Sequence, residues 1–154
     1  MAGSADDDLL RPTLADRVGP AAGEAKPWRL GSQVYVAFFG GAIAVAAIAL
    51  LNAERLRLDR RSEVLIAACG LAGLIGTVVL AAVVDDLPAF GRRAVALLAW
   101  GGMWLVQRGA DRSFAFHARE EEPYASLWVP GLVAVIAGAT VQALIVAAIT
   151  GEIA

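Results

Sequence analysis

From Gln33 to Asn52 the chain reads QVYVAFFGGAIAVAAIALLN, without a charged residue. A helix of ~20 apolar residues, rising 1.5 Å per residue, crosses a hydrocarbon layer of ~30 Å, so this stretch has the length and character of a membrane span. Two further uncharged runs, at 64–84 and 127–149, have the same form. Between them Ala94–Val106 is shorter and reaches only ~20 Å on its own. If that helix begins near Pro88 and Arg92–Arg93 extend to the headgroups, it spans as well. The expected fold is therefore all-α: a polytopic helical membrane protein with four transmembrane helices near 33–52, 64–84, 88–107 and 127–149. The count falls to three if the third run is re-entrant.

Polar segments separate these runs. Residues 1–31 include Asp6–Asp7–Asp8 and several Gly and Pro, and offer little apolar surface to offset ordering entropy, which predicts a disordered tail ahead of a helical membrane domain over 32–154. The start is acidic and its first long apolar run begins beyond position 30, unlike a cleavable signal peptide. Trp28 and Arg29 suit an interfacial anchor ahead of the first span, and Trp128 suits one ahead of the last. Asp85–Asp86–Leu87–Pro88 reads as a helix stop followed by a helix start.

Inside the spans, small residues recur at helical spacing. Ala68, Ala72 and Gly76 lie at i, i+4, i+8, with Gly70 and Gly73 close to the same side, and such a flat face lets a neighbouring helix come close in lipid. Gln142 is the most polar side chain within a long run, and it should bond to a neighbouring helix, a contact worth about 1 kcal/mol. Ala68, Ala72, Gly73, Gly76 and Gln142 are accordingly the expected helix-packing residues. Gly40 and Gly41 read as ordinary small packing positions in the first span.

Composition narrows the class further. Of 154 residues 58% are hydrophobic, and the mean hydropathy is +0.64, too apolar for an ordinary soluble domain at about 45–50%. The net charge of −2 says nothing of nucleic acid, and none is expected as a partner. Twelve of the thirteen basic residues are Arg, which with abundant Ala and Gly fits GC-rich bacterial coding. Cys69 is the single cysteine, so neither an intrachain disulfide nor a cysteine-based metal site can form.

Reaction chemistry is not legible. The chain has no Walker loop, HExxH or GxSxG. A surface enzyme would need Asp85, Asp86, His117 and Glu120–Glu122 to converge, whereas a solvated loop and helix caps account for them. None of the three long runs holds an Asp, Glu, Arg, Lys or His, which argues against an ion-coupled carrier. No catalytic residue, metal or cofactor is expected.

Pro27–Trp28, the stretch from Gln33 through Gly40–Gly41 to Ala44, and Asn52 together resemble the start of a group of small bacterial membrane proteins. In that group a polar lead-in precedes a Gly-Gly-containing first span ending at Asn. The resemblance implies an integral membrane protein and carries no activity. The functional expectation is a non-catalytic partner or accessory subunit acting through helix packing in a bacterial inner membrane, with the bilayer and a second copy or another membrane protein as partners. The alternative is an oligomeric pore or passive carrier whose path is lined by Thr77, Thr140 and Gln142. With four spans, basic residues near the membrane number seven on the side of the first and third loops and five on the other, which puts both termini outside.

Overall fold

The computed structural model describes residues 25–84, 89–117 and 124–150. Among them the chain is all-helical. A 3₁₀ turn, Leu30–Ser32, leads into α1 (Gln33–Arg55), followed by α2 (Arg60–Val83), α3 (Ala89–His117) and α4 (Trp128–Thr150). By length and composition three stretches are able to cross a membrane: Leu30–Arg55, Arg60–Val83 and Trp128–Ile149. Most of the tail expected to be disordered lies outside the described residues.

The first of these stretches does not run straight. The Trp28 N–H donates to Asn52 Oδ1 at 2.7 Å, and the Arg55 guanidinium donates to the Lys26 carbonyl at 2.8 Å. A continuous helix would separate Gln33 from Asn52 by ~28 Å, whereas the five residues from Trp28 to Gln33 reach at most about 18 Å. The two contacts therefore require α1 to turn back. It does so at Gly41, whose φ of 78° and ψ of −170° are non-helical. Such dihedrals belong to a region open essentially to Gly alone. One arm, 33–40, descends into the bundle, and the other, 42–55, returns to the end from which the first came. The expected continuous span 33–52 is thus a helical hairpin, and the paired glycines form its tip.

This reversal fixes the arrangement of the rest. α3 runs beside the returning arm, with Ala99 near Ala42 at one end and Asn52 Nδ2 donating to Gln107 Oε1 at 3.1 Å at the other. α4 follows the descending arm, with the Tyr35 hydroxyl donating to the Leu127 carbonyl at 2.7 Å and Val135 lying against Gly40. α2 packs on α3 and on the returning arm. The buried core consists largely of the hairpin itself, Val36, Ala37, Ala44, Val45, Ile48 and Ala49, with Ile66, Ala99 and Met103 around it. A Cβ on Gly138 would lie 2.7 Å from backbone atoms of Ala44, so α4 and the returning arm touch main chain to main chain. In lipid, where apolar side chains gain nothing by leaving the solvent, such close approach supplies the packing energy.

Several sequence expectations shift. On α2 the buried stripe is Ile66, Gly70, Gly73 and Thr77, while Ala68 and Ala72 are exposed and Gly76 is half-buried. The packed face is rotated from the Ala68–Ala72–Gly76 row because the hairpin lies against Gly70 and Gly73. α3 continues to His117, well past the expected end at 107, because Phe114 packs against Tyr124 with ring centroids 5.7 Å apart. Trp28 is 3% exposed rather than at a headgroup surface, and Arg55 stacks on its ring at 3.7 Å. Trp128, 78% exposed, keeps the position of an anchor. Residue 25, the α1–α2 turn and the segment before α4 share one end of the bundle, and the end of α2, the start of α3 and the end of α4 share the other.

Candidate functional site

The hairpin is shorter than the helices around it. Its returning arm rises ~21 Å, against ~36 Å for α2. The shortfall leaves a cavity of about 340 Å³ beyond its tip, within the range of small-molecule sites. Its walls include Phe38 and Gly41 of the hairpin, Thr77 of α2, Arg92 and Arg93 of α3, and Gln142 of α4.

Each polar wall has a structural reason. The break at Gly41 begins a new helix at Ala42, and the first N–H groups of a helix have no partner within it. Gln142 Oε1 accepts from the Ala42 N–H at 2.9 Å and from the Ile43 N–H at 3.5 Å, so α4 caps a helix that starts inside the bundle. The expected inter-helix bond of Gln142 is present, and its partner is backbone. Thr77 is fully buried and donates its hydroxyl to the Gly73 carbonyl at 2.9 Å. The Arg93 guanidinium lies over the Phe38 ring, 4.7 Å from its centroid, which attaches the start of α3 to the descending arm.

The opposite end of the bundle holds a polar clasp. Pro27 and Trp28 pair with Ala125 as an isolated parallel bridge, the Ala125 N–H donating to the Pro27 carbonyl at 2.9 Å. Asn52 links this segment to Gln107, and all of Trp28, Asn52 and Gln107 are buried. Beside them the Tyr124 hydroxyl donates to the Asp111 carboxylate, whose Oδ1 is buried without a partner. Burial raises the Asp111 carboxyl above its ordinary value, with Tyr124 and Arg29 opposing the rise. The Tyr124 phenol is pushed up to about 12, first by burial and then by Asp111.

The structure therefore brings Thr77 and Gln142 into one cavity and leaves Thr140 exposed, bonded to its own Ile136 carbonyl. Gly73 is packed against Ala99 and Ala42, whereas Gly76 meets only Val95. Asp85, Asp86, Glu120–Glu122 and the His117 side chain lie outside the described residues. Among the described residues no group of three or more His, Cys, Asp or Glu is placed to hold a metal. Sequence reasoning passed over Gly41, Asn52 and the cavity-facing role of Arg92–Arg93. A Gly-Gly pair interrupting an apolar run, with a Gln at the corresponding depth of another run, was the signal for the first. Among the described residues the fold is a small helical bundle with a discontinuous, folded-back helix and three stretches long and apolar enough to cross a membrane. No family model, curated protein or solved structure matches the chain.

Proposed function

We infer that this chain is a non-catalytic protein of a bacterial inner membrane that crosses three times, through α2, α3 and α4, while the α1 hairpin enters and leaves by one side. Its role in this reading is that of a pore or passive-carrier subunit for a small polar solute. The observation that carries it is the break at Gly41 above the cavity. Non-helical backbone at membrane depth persists where protein buries it or where it lines an aqueous cavity, and discontinuous helices flank the solute sites of many carriers. Positive residues give the orientation. Lys26, Arg29, Arg55, Arg57, Arg60, Arg61, Arg108 and Arg112 belong to the clasp end and only Arg92 and Arg93 to the other, eight against two among the described residues. The clasp end is then cytoplasmic, and the cavity opens toward the outer side. In place of both termini outside, the arrangement that four spans would give, this reading puts residues 25 and 150 on opposite sides.

The test is solute efflux from proteoliposomes. Wild type should release a small polar solute faster than protein-free vesicles, and Ala139→Phe, which fills the cavity, should abolish the difference. Equal rates for wild type and empty vesicles would dismiss the reading. A second reading, a packing partner for another copy or another membrane protein, draws support from Ala68 and Ala72, a flat small-residue face left exposed among the described residues. Disulfide cross-linking of Ala72→Cys in a Cys69→Ala background, performed in native membranes, tests it.

A further inference from the structure

The cavity's charge pattern narrows the solute class. Its two ionised groups are both arginines, and they stand on the end of the bundle where the chain otherwise places no basic residue among those described. Retention of basic residues works against placing arginine on the outer side. Two arginines gathered at the wall of one cavity offer a ready site for an anion. Both are exposed and lie within the first two turns of α3, so the cavity opens near this end of the bundle, where α2 continues only from Thr77 to Val83, ~9 Å, beyond its wall. Geometry adds to this. The Arg93 guanidinium rests against Phe38, 4.7 Å from the ring centroid, which holds its N–H fork at the cavity wall. That fork matches two oxygens of one anion. The remaining walls are neutral: the Thr77 hydroxyl, the Gln142 amide and the apolar hairpin tip. The positive end of the helix beginning at Ala42 points to the same region, with Gln142 already accepting from its first amides.

We propose that the cavity binds a phosphate-type oxyanion, held by the Arg93 fork with Arg92 as second cation. This rests on the solute-site reading above and specifies its ligand. The oxyanion is either free in solution or the phosphate of a lipid headgroup, and the chemistry recognised is the same.

The experiment uses the full chain in a phosphate-free maltoside detergent, with binding followed by calorimetry and by thermal unfolding. One arm adds inorganic phosphate, a second a short-chain phosphatidic acid, and a third sodium chloride at matched ionic strength. Saturable binding in either of the first two arms, absent from the third, is the expected result, and the arm that responds identifies the source. Arg93→Gln should weaken it about tenfold or more, as expected for loss of a charge-assisted contact. Arg93→Lys should restore part of the affinity, and Arg108→Gln, at the other end of the bundle, should leave it unchanged. Ala139→Leu blocks the cavity without altering charge and should also abolish binding while unfolding at a temperature close to wild type. Absence of binding in both phosphate arms overturns the proposal, as would be seen if Asp85 and Asp86 neutralise the arginines. Equal binding by wild type and the Arg92→Gln/Arg93→Gln double variant overturns it too. Efflux of a neutral solute without oxyanion binding defeats this inference and leaves the carrier reading standing, and binding without efflux does the reverse.

Discussion

Replacing Gly41 by Ala tests the hairpin at its tip. Two costs are legible. Alanine is strained at φ 78°, ψ −170°, by about 1–3 kcal/mol. Its Cβ would also stand 2.5 Å from Gln142 Oε1 and 2.8 Å from Cδ, so the amide has to leave. Its departure strips the acceptor from the Ala42 N–H, a group fully removed from solvent, at about 1–3 kcal/mol for an orphaned donor. The sum is about 2–6 kcal/mol. Gly101→Ala is the control, because a Cβ there meets nothing within 4 Å and helix propensity favours Ala by about 1 kcal/mol. Equilibrium unfolding in mixed micelles with increasing sodium dodecyl sulfate measures both. Gln142→Ala removes the acceptor without backbone strain, and should cost about 1–3 kcal/mol. The double variant should cost less than the sum of the singles, since the lost cap is counted in each. If Gly41→Ala unfolds at the same detergent fraction as Gly101→Ala, α1 does not turn at Gly41 and the hairpin is refuted.

Other expectations concern the clasp and the crossing pattern. Asn52→Leu orphans the buried Trp28 N–H and Gln107 Oε1, and should cost about 2–6 kcal/mol and speed tryptic cleavage at Lys26 and Arg29. In a Cys69→Ala background, single cysteines at Ala25 and Ser62 should resist an impermeant reagent in intact cells while one at Val84 reacts; a continuous first span would make Ala25 and Val84 react together. With Tyr35→Phe isolating it, Tyr124 should titrate near 12 by ultraviolet difference absorbance, and lower in Asp111→Asn, with burial, the larger cause, keeping it above its ordinary value. Since its folded value lies above the unfolded one, the stabilisation by the neutral phenol is complete below about 10 and is lost as pH rises toward 12, where protease sensitivity of the Lys26 region should increase. Gly73→Leu, which would meet Ala99 and Ala42 at 2.7 and 3.0 Å, should lower the unfolding temperature more than Gly76→Leu, which would meet Val95 at 3.2 Å.

The helical class and the approximate limits of the helices were legible because uncharged runs of membrane-spanning length are rare outside a bilayer. What hydropathy does not encode is direction. A folded-back pair of short arms and one straight span of 33–52 have the same composition, and the difference rests on a single backbone conformation at Gly41. The decisive partners, Trp28, Asn52 and Gln107, are far apart in sequence, so no local spacing reveals them. α2 illustrates a related limit: both Ala68–Ala72–Gly76 and Ile66–Gly70–Gly73–Thr77 are helical rows, and the neighbour that selects between them is the hairpin. Gln142 was readable as a bonding group because an amide in hydrocarbon requires a partner, although nothing in the sequence identified that partner as the amides of a broken helix.

The bridge between Trp28 and Ala125 has a consequence for how the molecule is made. The two residues lie 97 positions apart, and the Tyr35–Leu127 bond spans 92. While the chain is being synthesised, the stretch 33–52 therefore emerges long before the residues that hold its ends and tip in place, and its hydropathy is that of a full crossing. An insertion machine acting on local hydropathy would first treat it as one, leaving the Ala25 region on the outer side until α4 arrives and the arms close against it. The late-made helix is then the element that decides the final route of the first. In the three-crossing reading, a ribosome-bound chain halted before Leu127 should display Ala25 on the opposite side from the finished protein.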